Sequence, residues 1–343
     1  MMNSKSTFFF LLLVINLLLI KKTNAQVKSF DGINITGMEK TWRKDNEKAF
    51  LEVYNNIKKI HKKGVYSIRI PIDLDHQLNH LSKKDKKKFL KTINKINKLA
   101  RKKNIKIVYA YFNHQISNEN WSSKATEISN NWIDFLKQTK FDKKNIYVDL
   151  LNEPTIHLDK WHQAASILIK NIQSEFTDLT LIYGETNYNS MFELSRSKPL
   201  NYQNIIYKFH FYEPFIFTHQ GTEWTGKQNA TTGIPFPHSS NQAFPPLHPN
   251  SIGTEGEINY QHYHLTGNET AILHKLTEIK EWANKYQVEI WCTEFGVTKN
   301  ASEQDRINYL RTVSKTLKDL QIKGFVWEFE GNFGVNEIWE EIN

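Results

Sequence analysis

Short apolar runs rich in β-branched and aromatic residues alternate along the chain with longer stretches whose apolar residues recur every three or four positions. The first pattern is typical of strands and the second of amphipathic helices, and their alternation predicts parallel strands joined by crossover helices. Eight strand candidates can be counted, and eight such units close a (β/α)8 barrel. We therefore expect an α/β fold made of one TIM barrel. The strand candidates are Gly32–Gly37, Val65–Ile70, Ile105–Tyr111, Ile146–Leu151, Thr180–Gly184, Ile205–Phe211, Glu289–Thr293 and Gly324–Phe329.

Lysines dominate the stretch Lys83–Lys106, in which Phe89, Ile93, Ile96 and Leu99 keep the spacing of one helix face. This pattern predicts an amphipathic helix with a solvated basic face. The formal net charge of the chain is +9, and a basic surface can also bind nucleic acid. Because no aromatic residues interleave on that face, we expect no nucleic-acid partner.

The first 25 residues have the composition of an export signal. Lys5 precedes an apolar run, Phe8–Ile20, and a small residue, Ala25, marks the expected cleavage point. The run has 13 positions, whereas a transmembrane helix needs about 20. We expect residues 1–25 to be a signal peptide and residues 26–343 to form one soluble, secreted domain, extracellular or periplasmic, without stable membrane association.

Polar side chains follow the ends of the strand candidates, and in a barrel of this kind the active site lies at the carboxyl ends of the strands. Two ends carry a glutamate, Glu153 in the run Leu150–Pro154 and Glu294 in the run Ile290–Gly296. Two glutamates that face one cleft can act as proton donor and nucleophile on a glycosidic bond. The other candidates at strand ends are Arg69, His114, Asn152, His210, Tyr212 and Trp327.

Each of these candidates, taken alone, also fits a structural role. Arg69 could form an ion pair, His114 or His210 could be a hydrogen-bonded imidazole in the core, and Tyr212 or Trp327 could be a core aromatic residue. Their joint occurrence at corresponding ends of six strand candidates is what predicts a shared site.

About 60 residues separate the sixth strand candidate from the helical pattern near Leu273, and many of them are aromatic, including Trp224. A loop of this length is usually functional or disordered, and its aromatic content argues against disorder. Aromatic rings can stack on sugar rings, so we interpret this long aromatic loop as a wall of the substrate cleft. The alternative is a satellite core that holds the loop down. Its histidines lack a spacing that specifies a metal site, and we expect no metal or cofactor.

The set Arg69, His114, Asn152-Glu153-Pro154, His210-Phe211-Tyr212, Glu294-Phe295-Gly296 and Trp327 resembles the pattern of glycoside hydrolase family 5, which contains barrel cellulases and related β-glycanases. The resemblance extends from Gly32 to about Gly334. It implies that Glu153 is the acid/base, that Glu294 is the nucleophile and that the anomeric configuration is retained.

The residue types around the pair suit these implied roles. Arg69 can keep Glu294 ionised by charge pairing, and Tyr212 can donate a hydrogen bond to the same carboxylate. His210 is placed to orient Glu153 or to tune its proton affinity.

The remaining residues suit the binding and positioning of a sugar. Pro154 favours an extended backbone at Glu153 and would fix the acid at the end of its strand. Asn152 can hydrogen-bond the 2-hydroxyl of the substrate. Trp327 would form the floor under the sugar at the cleavage point, with His114 reaching a hydroxyl of that ring.

We therefore expect a monomeric endo-β-1,4-glucanase that acts on β-glucan polysaccharides or oligosaccharides. A β-mannanase, another β-glycosidase of the family or an exo-glucanase is the nearest alternative, and a noncatalytic carbohydrate-binding barrel is the alternative of another class. The chain has no Gly-x-Ser-x-Gly elbow, no Walker-type glycine loop and no His-Glu-x-x-His, the marks of three other enzyme classes.

Overall fold

The computed structural model describes residues 30–42, 46–113 and 115–342. Eight parallel strands pair in sequence order, and β1 also pairs with β8, so that the sheet closes into a barrel. The predicted (β/α)8 architecture is thus confirmed. The strands are β1 Gly32–Asn34, β2 Ser67–Ile72, β3 Lys106–Tyr111, β4 Ile146–Asp149, β5 Leu181–Gly184, β6 Ile205–Phe211, β7 Ile290–Phe295 and β8 Lys323–Val326.

Helices connect successive strands and cover the outside of the barrel with their apolar faces. The long ones are Asn46–Lys62, Lys83–Lys103, Trp121–Gln138, Leu158–Glu175, Glu269–Tyr286 and Glu303–Asp319, with shorter helices at Met191–Arg196 and Trp339–Ile342. The segment Thr186–Asn189 is a turn whose last three residues have left-handed backbone conformations. The lysine-rich helix is the predicted amphipathic one, because Phe89, Ile93 and Ile96 are buried. Its ends follow local rules, since Ser82 caps the first turn and Asn104 leaves the last turn in a left-handed conformation, φ 53°.

The interior of the barrel is apolar at one level and contains buried charges at the next level along its axis. An apolar cluster separate from the main core is formed by Val108, Ile182, Ile206, Trp291 and Phe325. Tyr147 of β4 packs against this cluster, and two residues beyond Tyr147 and Ile206 the strands β4 and β6 carry Asp149 and Lys208, which are fully buried charged residues. Because side chains on the same face alternate with a period of two, these charges lie above the apolar cluster, towards the carboxyl ends of the strands.

One extra residue interrupts the regular alternation of β7. Phe209 of β6 pairs with Cys292, but the next residue, His210, pairs with Glu294, so Thr293 is the additional residue. The pairing with β8 shows the same shift. Trp291 points to the interior of the barrel, and in a regular strand Glu294, three residues later, would point outward. The bulge shifts the alternation by one residue, so Glu294 points to the interior together with His210.

The long aromatic loop contains secondary structure of its own, which its composition did not predict. Three short helices, Phe215–Thr218, Glu255–Gln261 and Tyr263–Thr266, lie in it, together with single turns of tighter helix. Part of it packs onto the main core, because Phe217, Phe236 and Tyr263 belong to the main buried apolar cluster. Trp224 is not part of that core, since 60% of it is exposed.

None of the helices within the described ranges has both the length and the apolar character required to cross a bilayer. Residues 1–29 lie outside those ranges, and so does the signal peptide expected at residues 1–25.

Candidate active site

Glu294 is buried on β7 and each of its carboxylate oxygens accepts a hydrogen bond. Arg69, on β2, donates from one guanidinium nitrogen to Oε1 at 2.5 Å. The Tyr212 hydroxyl, just beyond β6, donates to Oε2 at 3.0 Å. The carboxylate is therefore fixed from two sides by strands or strand ends, which leaves it little freedom to rotate.

Arg69 is fully buried and connects four strands at the level of Glu294. Besides its bond to Glu294, it donates to Asp149 at 2.9 Å, to Asn34 at 3.0 Å and to the side-chain oxygen of Asn152 at 2.7 Å. The guanidinium has five donors in a fixed plane, so a partner in each of these directions holds it in one orientation. Arg69 thereby links Glu294 and Asn152 in one rigid unit.

Glu153 lies on the loop after β4 and has a backbone φ of +47°, in the left-handed region. The expectation that Pro154 would keep Glu153 extended is therefore wrong. Non-glycine residues adopt this region at a cost, so tertiary contacts must hold the backbone there. One contact is with the chain after β5, where the Tyr188 N–H donates to the Pro154 carbonyl at 3.3 Å.

His210 stands between the two glutamates. Its Nδ1 is 2.8 Å from Oε1 of Glu153, and its Nε2 is 3.5 Å from Oε1 of Glu294. One oxygen of each glutamate and a ring nitrogen of His210 lie within 4.8 Å of one another. The structure thus brings together the two carboxylates that the sequence placed at separate strand ends.

The two carboxylates differ in how readily they hold a proton. Burial, reinforced by the negative charge of Glu294, raises the pKa of Glu153 to about 8. Burial also raises the pKa of Glu294, but the Arg69 guanidinium and the Tyr212 hydroxyl act against that shift. Burial lowers the pKa of His210 well below its usual range, and the nearby charges of Lys208 and Arg69 lower it further. At neutral pH the site therefore combines a protonated Glu153 with a neutral His210, and the Arg69 guanidinium and the Tyr212 hydroxyl favour the ionised form of Glu294.

Two cavities open at the carboxyl ends of the strands, and both reach Glu153 and Trp224. The larger measures about 770 Å³ and lies on the side of Tyr188 and Phe192. The smaller, about 550 Å³, contains Trp327 and is lined by Lys40, Trp42, Phe112, Asn152, Glu153, Tyr212, His219, Trp224, Glu294, Glu328, Gly331, Asn332 and Phe333. The Trp327 ring stacks on Phe112 with their planes only 5° apart, so one of its faces is supported by protein.

The candidates from the sequence converge on this site with one exception. Arg69, Asn152, Glu153, His210, Tyr212 and Glu294 form one contact network, while Trp327 and Trp224 line the cavities. His114 lies outside the described residues, and its role stays a prediction.

Sequence reasoning missed the charged layer beneath the pair. Buried Lys208 lies 2.6 Å from Asp149, and Asp149 also accepts from Arg69. The signal was present, because a lysine and an aspartate interrupt otherwise apolar strands that are expected to be buried on both faces. Asn34 and Asn189 gave no comparable signal, since isolated asparagines are common near strand ends.

Glu153, His210 and Glu294 are also residues of metal-ligating types whose donor atoms lie close together. Two cations beside them, Arg69 at 2.5 Å from Glu294 and the buried Lys208, disfavour the addition of a further positive charge. The arrangement is better suited to proton transfer and nucleophilic attack than to cation binding.

Two curated proteins illustrate what the chain resembles in sequence. Endoglucanase 3 of Fibrobacter succinogenes is 27% identical over 343 residues, which cover 89% of this chain and 50% of that protein. Endoglucanase C of Acetivibrio thermocellus is 28% identical over 204 residues, which cover 58% of each. The chain spans about half the length of these curated relatives.

Among solved structures, endoglucanase Cel5A of the hyperthermophile Thermotoga maritima superposes with a TM-score of 0.68 at 20% identity, covering 92% of this chain and 97% of that one. At this identity the likeness concerns the fold. The family model described as Cellulase (glycosyl hydrolase family 5) matches residues 23–332. Because that match spans most of the chain, the protein belongs to glycosyl hydrolase family 5, the cellulase family.

Proposed function

We propose that this chain is a retaining endo-β-1,4-glucanase with Glu153 as acid/base and Glu294 as nucleophile. One observation carries the proposal: an oxygen of Glu153 and an oxygen of Glu294 lie within 4.8 Å of each other. Retaining glycosidases hold their carboxyl groups about 5–5.5 Å apart, whereas inverting enzymes need about 6.5–9.5 Å to admit a water molecule. The short spacing favours direct attack by a carboxylate.

In the first step, the Glu294 carboxylate attacks the anomeric carbon while protonated Glu153 gives its proton to the departing glycosidic oxygen. The C–O bond to the leaving sugar breaks, and a glycosyl ester forms on Glu294. Arg69 and Tyr212 hold the attacking carboxylate in a single orientation, because each oxygen already accepts one of their hydrogen bonds.

The second step needs Glu153 as a base, and the first step prepares it for that role. Once Glu294 is esterified, the negative charge that raises the pKa of Glu153 is gone. The pKa of Glu153 then falls, so the carboxylate left by the first step can accept a proton from water. That water attacks the anomeric carbon, the ester bond breaks, and the two displacements give net retention.

The substrate contacts are proposed from the cavity lining. Asn152 uses its side-chain oxygen for Arg69, so its amide N–H groups are what it can offer to the 2-hydroxyl of a sugar. Trp327, supported by Phe112, provides a flat face for the sugar at the cleavage point. His114 would reach a hydroxyl of the same ring.

β-1,4-Glucan is the proposed substrate because the two curated relatives are both named endoglucanases. A β-mannanase or an exo-acting enzyme would use the same carboxylates, since both act at the anomeric carbon and the glycosidic oxygen, which all these substrates have. The experiment must therefore separate chemistry from substrate choice.

The test is a product profile of the purified protein on cello-oligosaccharides, carboxymethyl cellulose, mixed-linkage glucan, mannan and xyloglucan, with Glu294→Gln as the control for contaminating activity. We expect internal cleavage of β-1,4-glucans and first-formed products of β configuration by proton NMR. Products of α configuration would overturn the mechanism. Cleavage confined to mannan or to chain ends would overturn the substrate or the endo mode, and binding without turnover would indicate a noncatalytic barrel.

We also propose that the chain is exported with cleavage near Ala25, which the 13-residue apolar run followed by small residues supports. N-terminal sequencing of protein recovered outside the cytoplasm should begin near Gln26. Recovery of an intact N-terminus in the membrane fraction would contradict this.

A further inference from the structure

Three consecutive residues after β5 have left-handed backbone conformations. The φ angles of Asn187, Tyr188 and Asn189 are 56°, 63° and 56°. Each such residue carries a conformational cost, so a run of three indicates that contacts around it hold it in place. The run exposes Tyr188 at the larger cavity and buries Asn189 completely beneath it.

The buried Asn189 amide contacts Glu153, Lys208 and His210 through one atom. That atom is 3.1 Å from the Glu153 backbone nitrogen, 3.1 Å from Lys208 Nζ and 3.2 Å from His210 Nε2. A backbone N–H can only donate. Lys208 already faces two acceptors, Asp149 and the Leu151 carbonyl, so its third N–H also needs an acceptor. The shared atom is therefore the side-chain oxygen of Asn189.

This orientation determines where the proton of His210 lies. An oxygen 3.2 Å from Nε2 accepts a hydrogen bond only if Nε2 carries the hydrogen. A neutral imidazole has one N–H, so Nδ1 is then a lone-pair acceptor. Nδ1 is 2.8 Å from Glu153 Oε1, and this contact is a hydrogen bond only when Glu153 carries the proton and donates it.

We propose that Asn189 is a positioning residue for the acid: by accepting from Nε2 of His210 it selects the tautomer that keeps Glu153 protonated until a substrate oxygen takes the proton. The same oxygen accepts from the Glu153 backbone N–H and so holds the left-handed conformation of the acid. This role rests on the function proposed for Glu153. With the opposite tautomer, Nδ1–H would donate to Glu153 and stabilise its carboxylate, which lowers its pKa.

Other charged groups face His210 and must be considered. Lys208 lies on the same strand, Arg69 on β2 and Glu294 on β7, while Asp149 on β4 pairs with Lys208. Glu294 Oε1 could also accept from Nε2, but it is 3.5 Å away and already accepts from Arg69 at 2.5 Å. Asn189 is thus the nearer acceptor for the Nε2 proton.

The experiment compares Asn189→Leu with Asn189→Asp, using the pH dependence of kcat/KM. Leucine has a similar volume and no acceptor, so the alkaline limb that reports Glu153 should move down by about one pH unit, which is a tenfold loss on that limb. Aspartate keeps an acceptor for Nε2–H, so the limb should not move down. The matched control is Asn187→Leu, the same change at a residue with the same backbone conformation and an exposed side chain.

A second measurement reads the tautomer directly and does not depend on activity. Proton–nitrogen correlation of the imidazole rings, with the His210 signals identified from a His210→Asn spectrum, should show Nε2–H in the wild-type protein and a loss of that preference in Asn189→Leu. An Nδ1–H tautomer in the wild type would overturn the proposal even if the glucanase function holds. An equal shift of the limb in Asn189→Leu, Asn189→Asp and Asn187→Leu would also overturn it. Failure to turn over any glycan would instead overturn the proposed function, and the tautomer would still be measurable.

Discussion

The two glutamates are held in opposite ways. Glu294 lies within a strand and has a hydrogen-bond donor on each oxygen, Arg69 and Tyr212. Glu153 lies on a loop with a left-handed backbone, its side chain is 23% exposed, and His210 is its near neighbour. In the proposed mechanism Glu294, the nucleophile, must reach one carbon atom, whereas Glu153, the acid/base, must exchange protons with a sugar oxygen and then with water. The rigid sheet fixes the first group, and the loop supports the second.

The largest effects are expected when each carboxylate is removed in turn. Glu294→Gln should abolish turnover of every substrate, because no carboxylate remains to form the ester. Glu153→Ala should stop the cleavage of natural glycans, for which general-acid help is typically about 10²–10⁴-fold. An aryl glycoside with an acidic phenol needs no proton to leave, so its first step should survive. Pre-steady-state release of the phenol measures that step.

Azide is the control for the Glu153→Ala variant, since it can attack the ester without a general base and should speed up the second step. If Glu153→Ala slowed the first step equally for good and poor leaving groups, the assignment of the acid would be wrong.

The different proton affinities of the two glutamates should also give a smaller, measurable difference in the stability of the fold. The pKa of Glu153 is about 8 in the folded chain against an ordinary value of 4.5. Between these values the unfolded chain has released the proton and the folded chain keeps it, so this group lowers the free energy of unfolding as pH rises from 4.5. Glu153→Gln cannot ionise and should stabilise the fold at pH 7 by on the order of 2 kcal/mol, with no gain at pH 4.

Glu294→Gln should give a smaller gain, because Arg69 and Tyr212 already stabilise the charge of Glu294. Urea unfolding of the two variants at both pH values provides the check. A gain for Glu153→Gln that is the same at pH 4 and pH 7 would show that ionisation is not its source.

The smallest effect on activity is expected from a residue of the cleft wall, Trp224. Trp224 is exposed in both cavities, and its loss should weaken turnover of long β-glucans about tenfold, the value of one aromatic contact of about 1–1.5 kcal/mol. Cleavage of a small aryl glycoside should barely change. Tyr66→Ala is the matched control, since it removes an exposed ring that precedes β2 at the other end of the barrel. Equal losses on both substrates would contradict the view of the long aromatic loop as a cleft wall.

Most of the fold could be predicted because its signal is local. Apolar runs and helical spacing identified every strand, although β2 extends to Ile72 rather than Ile70 and β7 to Phe295 rather than Thr293. The ends were less accurate because the last residues of a strand are fixed by pairing with its neighbours. For the same reason the bulge at Thr293 could not be predicted, since it exists only relative to β6 and β8.

The site could be predicted where a residue with a reactive side chain follows a recognisable strand, as Glu153 and Glu294 do. The conformation of Glu153 was not, because the local preference set by Pro154 is overcome by contacts with the chain after β5. The pairing of Lys208 with Asp149 required the barrel to bring β4 and β6 together at one level. Contacts of this kind join residues far apart in the sequence, so no local pattern of residues predicts them.

The bulge in β7 has a consequence for how chains of this kind are compared. One added residue decides whether the Glu294 side chain points to the inside or the outside of the barrel. The position of a residue along β7 therefore does not by itself tell on which face its side chain lies. A barrel with a regular seventh strand would need its glutamate one place earlier to reach the same point, and a gapless alignment would then set that carboxylate against Thr293. Equivalent carboxylates should therefore be matched by the direction of their side chains before they are matched by position.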